Sequence, residues 1–133
     1  MRGAIGAVAM ALLGGAPAVG QSPATPGPTC EVPPFRGMTQ PGGADARMSV
    51  SNTGGSCRIR LWADVEARQP FASVTLTRPP TQGSVTILPE GVAYRPNPGY
   101  RGPDLFEVAA SGTVRGNPIS GRIRVEVTVL PPP

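Results

Sequence analysis

Eight carboxylates, two cysteines, twelve basic residues and no histidine are the raw material for chemistry in this chain of 133 residues. The missing histidine removes Ser-His-Asp and Cys-His activation of a nucleophile. It also removes the commonest metal ligand and the proton shuttle that works near neutral pH. Paired carboxylates hydrolyse glycosides, but they need a shared cleft and one acid of raised pKa. Here the acids are scattered, and Asp64 with Glu66 is the one close pair expected on a single strand face. Calcium takes about six to eight oxygens, far more than that pair supplies. No zinc-ligand spacing is found, and no glycine-rich loop leads into a helix to cradle phosphate. The residues point to a protein that is not an enzyme and that uses neither metal nor cofactor.

Three other features could bind rather than react. All twelve basic residues are arginine, and the formal net charge is +4. Arginine forks suit phosphate and carboxylate, although a GC-rich coding sequence, also rich in Ala, Gly and Pro, gives the same bias. Arg58-x-Arg60 and Arg122-x-Arg124 have the two-residue spacing that puts each pair on the solvent side of a strand. In a sandwich these two strands belong to different sheets, so the pairs do not merge into a surface for nucleic acid. Trp62 falls outward beside Arg60, where it serves as a binding anchor or stacks on a guanidinium. Arg58, Arg60 and Trp62 are therefore the candidate binding residues.

These side chains need a scaffold, and the chain divides clearly. Arg2, the apolar run from Ala4 to Leu13, and small Ala18 and Gly20 before Gln21 make residues 1–20 a secretory signal segment. That run is about half of the ~20 residues needed to cross a bilayer, and no integral membrane segment is expected after it. Residues 21–44 form a Pro/Gly-rich arm, disordered or extended. In an exported chain Cys30 and Cys57 are expected to form one disulfide that ties the arm down. Closing that loop contributes about 3.5 kcal/mol in the chain-entropy account. Val32 and Phe35 then have the chance to dock as an edge.

Residues 45–130 alternate with a period of two, interrupted by turn residues every eight to twelve positions or so. Strands are expected at 46–51, 57–65, 71–78, 83–88, 92–95, 105–111 and 119–130. The apolar faces read Met48 and Val50; then Cys57, Ile59, Leu61, Ala63 and Val65, expected inward; then Ala72, Val74 and Leu76, opposite Ser73, Thr75 and Thr77. They continue with Val92 and Tyr94, then Phe106, Val108 and Ala110, and finally Ile123 to Val129. Asn52-Thr53-Gly54-Gly55 and Gly116-Asn117-Pro118 supply turns. About seven short strands without a helical period predict an all-β, immunoglobulin-like antiparallel sandwich, with closed barrels as the rival architecture. Pro131 to Pro133 form a tail.

The centre of the chain resembles a known pattern. Pro80, Gly83 and Val85, then Tyr94 and Pro96, then Tyr100, Gly102, Asp104 and Phe106 are similar to the Pro-x-x-Gly-x-Val, Tyr-x-Pro and aromatic-x-Gly-x-Asp-x-Phe runs of bacterial immunoglobulin-like and cadherin-like extracellular repeats. The likeness covers about a quarter of the chain. It implies a sandwich that works by positioning or binding. The chain departs from those repeats in holding one copy, in its cysteine pair, and in lacking their Asp-rich calcium junctions. Read from the residues alone, Tyr94 and Phe106 fill the core, and Asp104 accepts N–H bonds from its own corner. The function expected is an exported module for adhesion, scaffolding or protein binding at the bacterial envelope, periplasmic or at the surface. Its partner is a protein or an envelope glycan. The alternative is a periplasmic binder of a small ligand or carbohydrate.

Overall fold

Ten strands and no helix make up residues 27–133, the part described by the computed structural model. The expected signal segment and the first residues of the arm, through position 26, lie outside the described residues. The strands are β1 (Cys30–Glu31), β2 (Ala44–Ser51), β3 (Cys57–Arg60), β4 (Trp62–Asp64), β5 (Gln69–Pro70), β6 (Ser73–Arg78), β7 (Gly83–Leu88), β8 (Gly91–Pro96), β9 (Gly102–Val114) and β10 (Asn117–Leu130). Their order is β1-β2-β10-β9-β6 in a five-stranded sheet and β3-β8-β7 in a three-stranded one; β4 and β5 form a small ribbon.

β10 organises the larger sheet. Ile123, Val125, Val127 and Val129 are buried, while Arg122, Arg124, Glu126 and Thr128 are exposed. β-Branched residues at alternate positions favour the extended chain and put a continuous apolar stripe on one face. Parallel pairing with β2 sets Ile123 and Val125 beside Ala44 and Ala46, and Val127 and Val129 beside Met48 and Val50. On the other side β9 contributes Phe106, Val108 and Ala110. Cys57, Ile59, Val92 and Tyr94 of the smaller sheet close over them in one shared core. Burial of these side chains is the main force holding the two sheets face to face.

The outer face of the larger sheet balances its own charge. Asp45, Arg124, Glu107 and Arg78 lie side by side across β2, β10, β9 and β6, and Arg78 Nη1 donates to Glu107 Oε2 at 3.4 Å. Such exposed pairs contribute about 0.2–1 kcal/mol each. Their greater effect is to leave little net field on this face.

Cys30 and Cys57 are joined, with Cα atoms 5.5 Å apart. β1 pairs with β2 in the larger sheet, and the bridge ties it to β3 of the smaller one, holding the following arm on the domain, where Val32, Phe35 and Met38 pack against the core. Ala44, at the end of the expected arm, is already part of β2.

Three local expectations are corrected. The strand expected at 57–65 breaks at Leu61, whose N–H donates to the Glu90 carbonyl at 2.9 Å. Val65, expected inward, is 71% exposed. The cause is Asp64: its Oδ1 accepts from the N–H groups of Glu66 and Ala67 and curls the chain into a turn. Asp64 and Glu66 therefore do not share a strand face. In the next segment Phe71 is buried and Ala72 exposed, because the strand begins at Ser73. The turn between β9 and β10 is Arg115-Gly116, both at positive φ, with Val114 facing Asn117. Asn117 and Pro118 belong to β10, since a two-residue primed turn matches the twist of the flanking strands.

Candidate functional site

The corner residues converge. β8 points Tyr94 inward and β9 points Phe106 at it, and the two fully buried rings stack with centroids 5.9 Å apart. Tyr94 OH donates to Asp104 Oδ2 at 2.7 Å. Asp104 also accepts from the N–H groups of Thr81 (3.1 Å), Gln82 (3.1 Å) and Leu105 (2.9 Å). Asp104 was expected to serve its own corner. Apart from the adjacent Leu105 N–H, its backbone donors come from the β6–β7 turn, which it ties to β9. Gly83 completes the contact, because a Cβ there would stand 2.8 Å from the Tyr94 ring. Tyr100 OH donates to the Pro103 carbonyl and lies over Gly102, and Pro96 is buried at the end of β8 opposite Gly83.

The sequence reading missed one member of this assembly. Asn52, 9% exposed, donates through Nδ2 to the carbonyls of Asn97 and Tyr100, both at 2.8 Å. Its place before Thr53-Gly54-Gly55 read as turn chemistry alone. The signal available was that an amide offers two donors, enough to clamp two carbonyls of a distant loop.

Five hydrogen bonds to Asp104, the Thr81 hydroxyl at 3.5 Å among them, use the lone-pair positions that a base or metal ligand would need. The arrangement is a mechanical latch. It also makes stability depend on alkaline pH. Burial raises the Tyr94 phenol above its ordinary pKa, and the bonded, negatively charged Asp104 raises it further. The unfolded chain loses that proton near pH 10 while the folded chain keeps it. The contribution is therefore complete below about pH 10 and falls as pH rises, with a slope of up to about 1.4 kcal/mol per pH unit. Urea titrations at pH 9, 10 and 11 are expected to show this loss, with Tyr94→Phe lacking the slope. A flat profile in the native chain would contradict the assignment.

The second place is a groove of about 440 Å³ where the arm passes β4. Trp62, half-buried, lines it together with Phe35, Met38 and Val65, and with Arg36 and Arg60. Arg60 and Trp62 are thus brought together. Arg58 lies instead in a neighbouring depression with Arg60, Leu88 and Glu90. Arg60 Nε is 4.0 Å from Glu90 Oε1, an exposed pair of small energetic weight. Arg122 and Arg124 are on β10 of the other sheet, so the two arginine pairs stay apart.

Among the described residues no group of three or more His, Cys, Asp or Glu side chains converges as a metal site would require. No helix there is long and apolar enough to cross a membrane. Compared with protein-family models, curated proteins and solved structures, the chain has no match.

Proposed function

We propose that this chain is an exported, non-enzymatic immunoglobulin-like module that binds a protein or an envelope glycan at the bacterial cell envelope. The strand order supports the architecture. Four long strands, β2, β10, β9 and β6, face three, β3, β8 and β7, and the first long strand runs parallel to the last. A four-on-three layering is the one expected of such a sandwich, although here the first long strand joins the last and not the second. The observation carrying the functional reading is the corner. The side-chain cluster richest in chemical potential is tied up in internal bonds that brace the loops, which is what a rigid display scaffold needs. The disulfide is compatible with export.

The test is to immobilise residues 21–133, offer solubilised envelope fractions, cross-link, and identify what is retained. A discrete polypeptide or glycan held in preference to a control β-domain is the expected result. Retention no better than the control overturns the reading.

A second reading, a small-ligand or carbohydrate binder, is favoured by one observation: the chain's single Trp lines the groove beside the arm. Trp62 is therefore a built-in reporter. Binding there is expected to shift its fluorescence, and Trp62→Ala is expected to remove binding while costing only about 1–2 kcal/mol, below the full-burial range. A loss of several kcal/mol would make Trp62 a packing residue and remove the anchor.

A further inference from the structure

We propose that β7 is a strand-addition edge that takes an extended partner segment alternating apolar and acidic side chains. This rests on the binding-module reading and names where and what the module binds. β7 ends its sheet: among the described residues it pairs with β8 on one side and has no strand on the other. Free edges are normally blunted by shortness, charge, proline or a bulge. The other edges follow that rule. β1 has two residues, β6 carries Arg78 with a register shift beside it, and β3 carries Arg58, Arg60 and the disulfide. β7 has six residues, Gly-Ser-Val-Thr-Ile-Leu, with no charge, no proline and unbroken register against β8.

The side chains along this edge define the occupant. Val85 and Ile87 lie opposite the buried Tyr94 and Val92 and so point to the core side, yet Ile87 is 43% exposed because no strand covers it. An added strand would place every second side chain beside them, which calls for apolar residues. Its alternate side chains would join Ser84 and Thr86 on the outer face. There Arg95 stands next to Ser84, and Arg58 and Arg60 follow beyond β8. Glu90, in the β7–β8 turn, is the one acidic residue of this sheet and its turn. The field on this face is therefore positive, unlike the balanced face of the larger sheet, and it calls for carboxylates. A second copy joined edge to edge about a two-fold axis would bring two positive faces onto one surface, so charge selects a different, acidic chain over self-pairing.

The test uses residues 21–133 with two blocked heptapeptides as probes, one alternating Val and Glu and one alternating Val and Lys. With Val/Glu peptide at about ten times its Kd, exchange of the β7 amides is expected to slow about tenfold. The effect should weaken at high salt, and the Val/Lys peptide should give little protection. Arg95→Glu, at an exposed position, is expected to reverse the preference between the peptides, and Ile87→Glu to weaken the Val/Glu peptide at least about fivefold. Equal binding of both peptides, protection confined to the Trp62 groove, or dimerisation through β7 would each overturn the proposal. If both variants retain an envelope partner as well as the native chain does, the module stands and this edge is not its site. If β7 is protected by peptide while the envelope capture fails, the edge stands and the envelope role falls.

Discussion

Asp104→Ala is expected to lower stability by about 4 kcal/mol, measured as a shift in the urea unfolding midpoint. The carboxylate accepts five hydrogen bonds from three places: Tyr94 of β8, the N–H and hydroxyl of Thr81 with the N–H of Gln82 in the β6–β7 turn, and Leu105 of β9. Hydrogen bonds to an ionised acceptor contribute about 1.5–3 kcal/mol each, and a buried donor left alone costs about 1–3 kcal/mol. The Tyr94 hydroxyl belongs to a residue with no exposed surface and cannot turn to solvent instead. Thr81 is exposed, so water recovers part of its bond, which keeps the total below the simple sum. Amide exchange at Thr81 and Gln82 is expected to accelerate in the variant, showing that the turn has come loose. Asp104→Asn, which keeps an acceptor, should cost less. A change below about 1 kcal/mol for Asp104→Ala would mean that the corner does not brace the fold.

Gly91→Ala is expected to cost at least about 4 kcal/mol. Gly91 sits at the start of β8 opposite Arg60 with φ at +155°. A Cβ there would fall 1.9 Å from the Ile59 carbonyl oxygen, a main-chain atom that cannot rotate away. Relief requires β3 to separate from β8, and Ile59, Leu61 and Val92 are all core residues at that junction. Gly99→Ala is the control. It has positive φ as well, but nothing stands within 4 Å of its added Cβ, so the backbone penalty of about 1 kcal/mol is all it should show. Equal midpoints for the two variants would refute the steric account.

Both predictions concern contacts that alternation in a sequence does not reveal. The stripe of Ile123, Val125, Val127 and Val129 was legible because a period of two assigns a face to each side chain, and burial follows from that face alone. The same reasoning placed Met48, Val50, Phe106 and Val108 correctly. It failed at Val65, where one Asp side chain captured two backbone N–H groups and ended the strand early. It failed at Ala72 because that residue lies before the strand, which begins at Ser73, so the alternation that turns Val74 and Leu76 inward does not reach it.

The candidate sites were legible to different depths. Tyr94 and Phe106 could be read as core from their apolar rings, and the cysteine pair as a bridge from its number and setting. Asp104 could be read as an acceptor, but its donors lie in a turn more than twenty residues away. Trp62 was read as outward beside Arg60, whereas the tethered arm covers part of it and turns a flat face into a groove.

By itself, then, the sequence determined the all-β character and the inner and outer faces of most strands, and it named Cys30 and Cys57 as the pair expected to bridge, which the structure joins. Tertiary structure decided which strands are neighbours: β10 parallel to β2, the arm laid beside Trp62, and β7 left at an edge with no further strand among the described residues. The physical reason is that burial is nearly non-directional and depends only on whether a side chain leaves water. Hydrogen-bond partners and free edges depend instead on which distant segments meet, and no local pattern encodes that.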